Sequence, residues 1–486
     1  MLTRLVVVAI YMVAMMAIGA RLSKAKDASD YLVGGKSMPT WALIIGYMAA
    51  YIAASGVIGY AGKSYLDGVS CFWITTPWKI GSIIFGFLMA GYLGRMTCFT
   101  QPEVMGARYG RRARLISAIV LIWLYLGMIA SCTLAMGNVL SVVLNIPVPL
   151  ACFISVVVAV FYTYAGGFKA VVWTNVVQFV TLVAGTLIVF PIAHKAIGGF
   201  AGFSQLPPGH LDWFSAPTSK MIAWFLTGAG GGIVLQDVWR KVLGARDANQ
   251  GRLTGIVAPI IVMFWYLVPI AAGLYARVLW PNLAAPDMAF PYMVTQLLPD
   301  VLAGLALSGM IAGVMSTYDT ELLAVSANIS VDIYKEFFNP NCSDEQLVRV
   351  TRWCIVLVGF GSLLMLFGAR SVVDLQVKWY GVMAGALTIP CLGVFYWKRA
   401  GMLAGELGLL FGALGVLVPT LMSKSPLGWD PVIWGMIASA VGMIIGAVAG
   451  EPISDEAFEN LRPKGTVWWK AMPEDAPPYV PQELTR

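Results

Sequence analysis

Residues 305–334 read LALSGMIAGVMSTYDTELLAVSANISVDIY, an apolar run long enough to cross a membrane but carrying hydroxyls and carboxylates in its middle. Gly313, Ser316, Thr317 and Thr320 fall at three- and four-residue spacings and so share one broad helical face, with Asp319 on that face beside Ser316. Hydroxyls, carbonyls and a carboxylate are the hard oxygen ligands that a small alkali cation requires when it leaves water. Serine and threonine commonly bond their own helix backbone, which accounts for the hydroxyls. It does not account for Asp319, because a carboxylate near the bilayer centre is costly unless paired, protonated or solvated.

The rest of the chain fits a membrane setting. Of 486 residues, 59% are hydrophobic and only 12% charged, and the mean hydropathy of +0.77 excludes a soluble globular fold. A membrane helix uses roughly 20 mostly apolar residues, and thirteen such stretches lie between the N-terminus and residue 450. The sequence therefore predicts an all-α integral membrane protein with a single membrane domain over 1–450 and a short polar tail over 451–486. Between these stretches, 23 Lys and Arg residues fall on one side and 8 on the other, with Lys79 inside a span. That asymmetry predicts a multi-pass protein of the plasma membrane with its N-terminus outside and its C-terminus in the cytoplasm.

Several function classes lack support. No GxxxxGK[ST] motif is present, and the tail is too short for a nucleotide-binding domain. His194 and His210 sit near one loop, and the seven cysteines lie mostly within apolar runs without metal-ligand spacing. The net charge of +7 is spread between spans and forms no basic domain for nucleic acid. No enzyme activity and no cofactor are expected; transport is. The chain has 51 glycines, and two further stretches stand out for glycine and other small residues. MPTWALIIGYMAAYIAASGVIGYAG, residues 38–62, crowds small residues into the middle of a span. WFLTGAGGGIVLQDVWRK, residues 224–241, has four glycines in five positions, which predicts a broken helix exposing backbone carbonyls and helix-end dipoles to a ligand.

YLVGGKSMPTWALIIGYMAAYIA at 31–53, GGFKAVVWTNVVQ at 166–178, DVWRKVLGARD at 237–247 and GMIAGVMSTYDTELLAVSANISVDIY at 309–334 together resemble the sodium:solute symporter family. The resemblance implies a leucine-transporter-type core of two inverted five-helix repeats, about 39–193 and 217–397, with one helix before and two after. It implies a sodium site built from the carbonyls of Ala49, Ile52 and Gly313 and the hydroxyls of Ser316 and Thr317. It places a substrate pocket between the broken helices, lined by Ser55, Gly56, Thr75, Gly228, Gly231, Gly232 and Gln376. The expected partners are sodium as coupling ion, a small solute and membrane lipid, with a monomer sufficient for transport.

The chain departs from the family at Asn175, where several sodium-binding relatives have aspartate in a TDxxQ pattern. Asn175, Asp319 and Thr320, with Ser316, are therefore the expected second cation or proton site, its carboxylate supplied by Asp319 from another helix; structural pairing of Asp319 is the alternative. Lys79 is the other charge inside a span, with a substrate carboxylate, a protein carboxylate or snorkelling as its possible partners. A sodium-coupled importer of a small organic solute, carboxylate or amino-acid-like, is the resulting expectation. A proton-coupled symporter and a transporter-like membrane sensor or scaffold are the alternatives.

Overall fold

Backbone amides find no water in hydrocarbon, so a spanning segment must satisfy them internally, and helices do so within one segment. The computed structural model describes residues 2–21, 27–52, 58–366, 372–422 and 425–462, and among these it is helical apart from one isolated bridge between Met38 and Ala245. The principal helices are α1 (Leu2–Arg21), α2 (Thr40–Ile52), α3 (Tyr60–Asp67), α4 (Phe72–Leu88), α5 (Gln101–Leu144), α6 (Val148–Leu187), α7 (Thr218–Val234) and α8 (Gln236–Leu243). They continue with α9 (Ala248–Trp265), α10 (Leu267–Leu279), α11 (Asp300–Ala327), α12 (Asp344–Leu364), α13 (Val372–Tyr396), α14 (Met402–Leu421) and α15 (Pro431–Ala449).

Among the described residues, ten helical segments are long and apolar enough to cross a bilayer, and Val6–Ile18 and Thr40–Ile52 are shorter apolar helices. One of the ten, Val148–Ala196, has 49 residues, more than twice what a span needs. It turns at Gly167, whose φ of 59° and ψ of −165° interrupt the helix. Only glycine suits this turn, since a Cβ there would stand 2.7 Å from the Tyr31 ring. The two arms then flank α11 together: Tyr162 reaches Asp319 while Asn175 reaches the adjacent Thr320. Counting the arms separately gives the thirteen stretches read from the sequence.

The bundle inverts the polarity of a soluble protein. Phe161, Val180, Phe264, Leu357 and Val448 are exposed, whereas Lys79, Asp237, Arg240, Lys241, Asp319, Glu321 and Asp332 are buried. Helix α11 is central: 83% of its most apolar window is buried, against 33% for Val148–Ala196. All seven cysteines are free, and six are buried.

The basic loops converge on one end of the bundle. The Lys36 ammonium donates to the carbonyls of Gly94 and Met96, Arg108 to Trp397, Arg111 to Glu336 and Arg246 to Ser37, while Lys169 pairs with Asp30. At the other end Tyr65 donates to the Trp280 carbonyl, Trp73 to that of Trp213, and Val69 N–H to that of His210. Two residues counted with the basic loops do not belong there. Arg240 and Lys241 are buried on α8, turned into the bundle.

The helix break expected in the 224–241 stretch is present, but it does not fall among the glycines. Helix α7 runs unbroken through them, and the interruption comes at Leu235, whose extended backbone (φ −70°, ψ 113°) separates α7 from α8. The glycines serve contact instead. A Cβ at Gly231 would stand 2.3 Å from the Trp78 ring and one at Gly232 would stand 2.1 Å from the Trp78 carbonyl, while a Cβ on Gly81 of α4 would meet the Ala229 carbonyl at 2.0 Å. Small residues let backbones approach where lipid offers no hydrophobic drive to associate, and here they seat α4 on α7.

Candidate functional site

The site grows from the end of α2. Three carbonyls in its last described turn, those of Ala49, Ala50 and Tyr51, are met by hydroxyls from other helices. Ser316 Oγ lies 2.8 Å from the Ala49 carbonyl, Thr317 Oγ1 donates to that of Ala50 at 2.6 Å, and the Tyr266 hydroxyl donates to that of Tyr51 at 3.0 Å. Ser316 Oγ is also 2.6 Å from the Gly313 carbonyl. A serine hydroxyl carries one hydrogen, so Ser316 can donate to the Ala49 carbonyl or to the Gly313 carbonyl but not to both in full. A buried cluster with more lone pairs than protons suits a hard monovalent cation.

Four of the five residues expected to hold sodium thus stand together, although Thr317 bonds Ala50 rather than Ala49. Ile52 is buried at the end of the helix. Ser55 and Gly56 lie outside the described residues, as does the side chain of Gln376 in α13.

The residues expected at a second site also stand together. Asn175 Nδ2 is 3.4 Å from Thr320 Oγ1, which donates to the Ser316 carbonyl at 2.8 Å and lies 3.3 Å from Asp319 Oδ1. The Tyr162 hydroxyl lies 2.9 Å from Asp319 Oδ2. Asn175 Oδ1 has no hydrogen-bond partner. Among the described residues the carboxylate is therefore held by a phenol and a threonine, with no ion-pair partner within 4 Å. Tyr162 was not legible in the sequence, where FYTYAGG at 161–167 reads as an ordinary apolar span.

Beside these oxygens lies a cavity walled by Ala50, Tyr51, Tyr60, Thr75, Trp78, Lys79, Met128, Leu235, Tyr266, Thr317, Glu321 and Tyr380. Thr75 and Lys79 are both in this wall. Gly228, Gly231 and Gly232 are not in this wall; they lie behind Trp78, which fills the space their missing side chains leave. Thr317 belongs both to the cavity and to the hydroxyls on α2, which joins the two sites physically. Lys79 is 1% exposed, with its ammonium 3.7 Å from the centroid of the Tyr51 ring, 5.4 Å from that of Tyr47 and 5.8 Å from that of Tyr266. Cation–π contact of this kind offsets part of the cost of burying an ammonium. Glu321 had a signal in the sequence, since TYDTELL at 317–323 places a second carboxylate two residues after Asp319.

An all-helical membrane fold with a helix interrupted at Leu235 and polar groups gathered beside the break is the architecture of secondary transporters. The sodium:solute symporter family model matches residues 31–412, and the chain belongs to that family. The sodium/glucose cotransporter of Vibrio parahaemolyticus is 26% identical over 90% of this chain and 88% of its own. The sodium/proline symporter of Escherichia coli (strain K12) is 26% identical over 87% and 93%, and the sodium/pantothenate symporter of the same strain 24% over 86% and 90%. Among solved structures, a sodium-coupled sialic acid symporter in a substrate-bound, outward-open state superposes with a TM-score of 0.80 at 19% identity, covering 93% of this chain and 98% of that one. The nucleobase-cation symporter Mhp1 superposes with a TM-score of 0.61 at 15% identity, over 89% and 97%. The fold is the leucine-transporter type, with its five-plus-five inverted-repeat core.

Proposed function

We propose that this chain is a sodium-coupled symporter that imports a small, carboxylate-bearing organic solute by alternating access. The observation that carries the proposal is the oxygen cluster of Ala49, Gly313 and Ser316, which bridges the end of α2 and the middle of α11 beside a cavity sharing Thr317 with it. Sodium entering this cluster would turn the Ser316 hydrogen away and draw α2 against α11. That fixes Thr317 and the neighbouring cavity wall in the form that accepts solute. The relatives named for sodium with glucose, proline or pantothenate support the coupling ion. In this proposal the repeats run over about 39–193 and 217–397, the basic end faces the cytoplasm, and Lys79 receives the solute's carboxylate.

A second reading is favoured by Asp319. Its carboxylate receives hydroxyls and lies beside the unpartnered Asn175 Oδ1, an arrangement that accepts a second cation or a proton. Uptake measured against sodium concentration and against pH, in wild type and Asp319→Asn, tests it. A lower Hill slope in the variant identifies a second cation, and a lost pH dependence identifies a proton. If neither changes, Asp319 is structural.

A further inference from the structure

The cavity wall holds two buried charges, Lys79 and Glu321, and among the described residues no oppositely charged group lies within 4 Å of either. Lys79 projects from α4 into a surround of three tyrosine rings. Glu321 projects from α11, fully buried, with Oε1 unpartnered and Oε2 met only by the Cys132 thiol at 3.7 Å. Both line the same space, yet no contact of 4 Å or less joins the ammonium to the carboxylate. Asp237 and Lys241 of α8 are buried as well, but neither is among the residues that wall this cavity. An isolated buried charge is expensive, and two of opposite sign across one cavity are complementary to a ligand with its own two opposite charges. Between the poles the walls are aromatic, with Trp78 and Tyr380 at 4.2 Å between ring centroids.

Building on the symporter reading, we infer that Glu321 is the ammonium-binding residue of the solute site and that the solute is an amino acid with an apolar side chain. Lys79 takes its carboxylate, Glu321 its ammonium, and the aromatic walls its side chain. Neither an uncharged sugar nor a simple carboxylate satisfies both poles.

The test uses the full chain in nanodiscs, with thermal stabilisation and binding isotherms recorded in sodium chloride and in choline chloride. The probes are the standard L-amino acids, followed by the N-acetyl and methyl ester derivatives of the best binder, with D-glucose and pantothenate alongside. An apolar amino acid is expected to bind in sodium, and each derivative at least about tenfold more weakly, as the loss of a charged hydrogen bond requires. Glu321→Gln is expected to weaken the amino acid at least about tenfold while leaving the N-acetyl derivative unchanged or improved. Lys79→Met is expected to do the same for the methyl ester. These ratios distinguish recognition from a folding defect, which would weaken every probe alike. The inference is overturned if the N-acetyl derivative binds wild type as tightly as its parent, if Glu321→Gln weakens both equally, or if glucose or pantothenate binds with sodium and no amino acid does. That last result leaves the symporter reading intact. Sodium-independence of every probe overturns both.

Discussion

Replacing Gly232 by alanine adds one methyl group at a place where the structure leaves no room for it. The new Cβ would lie 2.1 Å from the Trp78 carbonyl oxygen and 2.9 Å from the Ser82 nitrogen. Both are backbone atoms and neither can rotate away, so ordinary contact requires α4 and α7 to part by about 1 Å. Parting stretches the Ser82 hydroxyl from the Gly232 carbonyl, now 3.2 Å away. Alanine gains about 1 kcal/mol of helix propensity over glycine. Against this stand overpacking of about 1–3 kcal/mol and a weakened buried hydrogen bond of about 1 kcal/mol. The balance is a net destabilisation of about 1–3 kcal/mol, with Trp78 displaced in the cavity wall. Unfolding of the variant in nanodiscs, followed by temperature or denaturant, measures it directly. Gly361→Ala is the control, because its Cβ meets nothing within 4 Å; it should be neutral or stabilising by up to about 1 kcal/mol. Equal or greater stability for Gly232→Ala would refute the claim that these glycines serve close packing.

Two further outcomes follow from the same geometry. Ser316→Ala removes the hydroxyl between the Ala49 and Gly313 carbonyls and should raise the sodium concentration for half-maximal stabilisation at least about tenfold, whereas Gly361→Ala should leave it unchanged. At the basic end, Arg114 bonds the buried Asp332 at 2.9 Å and Glu336 at 2.7 Å. Arg114→Gln strands the Asp332 carboxylate and should cost about 3 kcal/mol in unfolding, with Asp332→Asn in the same chain recovering part of the loss.

The membrane class, the number of spans and the oxygen-bearing face of α11 were legible because they rest on composition and on local spacing. Gly313, Ser316 and Thr317 share a helical face whatever surrounds them, and the structure sets that face against α2. A break within 224–241 is legible in the sequence, but its position at Leu235 rather than at the glycines is not, because glycine has two uses. Counting glycines at 228–232 signals low helix propensity, but the count does not reveal that Trp78 occupies the vacated volume, which is a tertiary fact. Arg240 and Lys241 were placed with the loops because a charge beside a span reads as solvent-facing; their burial depends on α8 turning inward after Leu235. Tyr162 and the tyrosines around Lys79 carried no signal at all, since a tyrosine in an apolar run looks the same whether it faces lipid, core or cavity. Glu321 was visible as a second carboxylate in the span, but its place in the same cavity wall as Lys79 depends on the tertiary packing.

The central claim is that an inward sodium gradient drives solute uptake through this chain. It is tested most directly in proteoliposomes loaded with potassium and diluted into sodium at equal pH, following a labelled solute identified by sodium-dependent stabilisation. The account predicts transient accumulation above the outside concentration, abolished when sodium is equal on both sides and sharply reduced by Ser316→Ala. Uptake that is indifferent to the sodium gradient, or that appears only with a pH gradient, would contradict it.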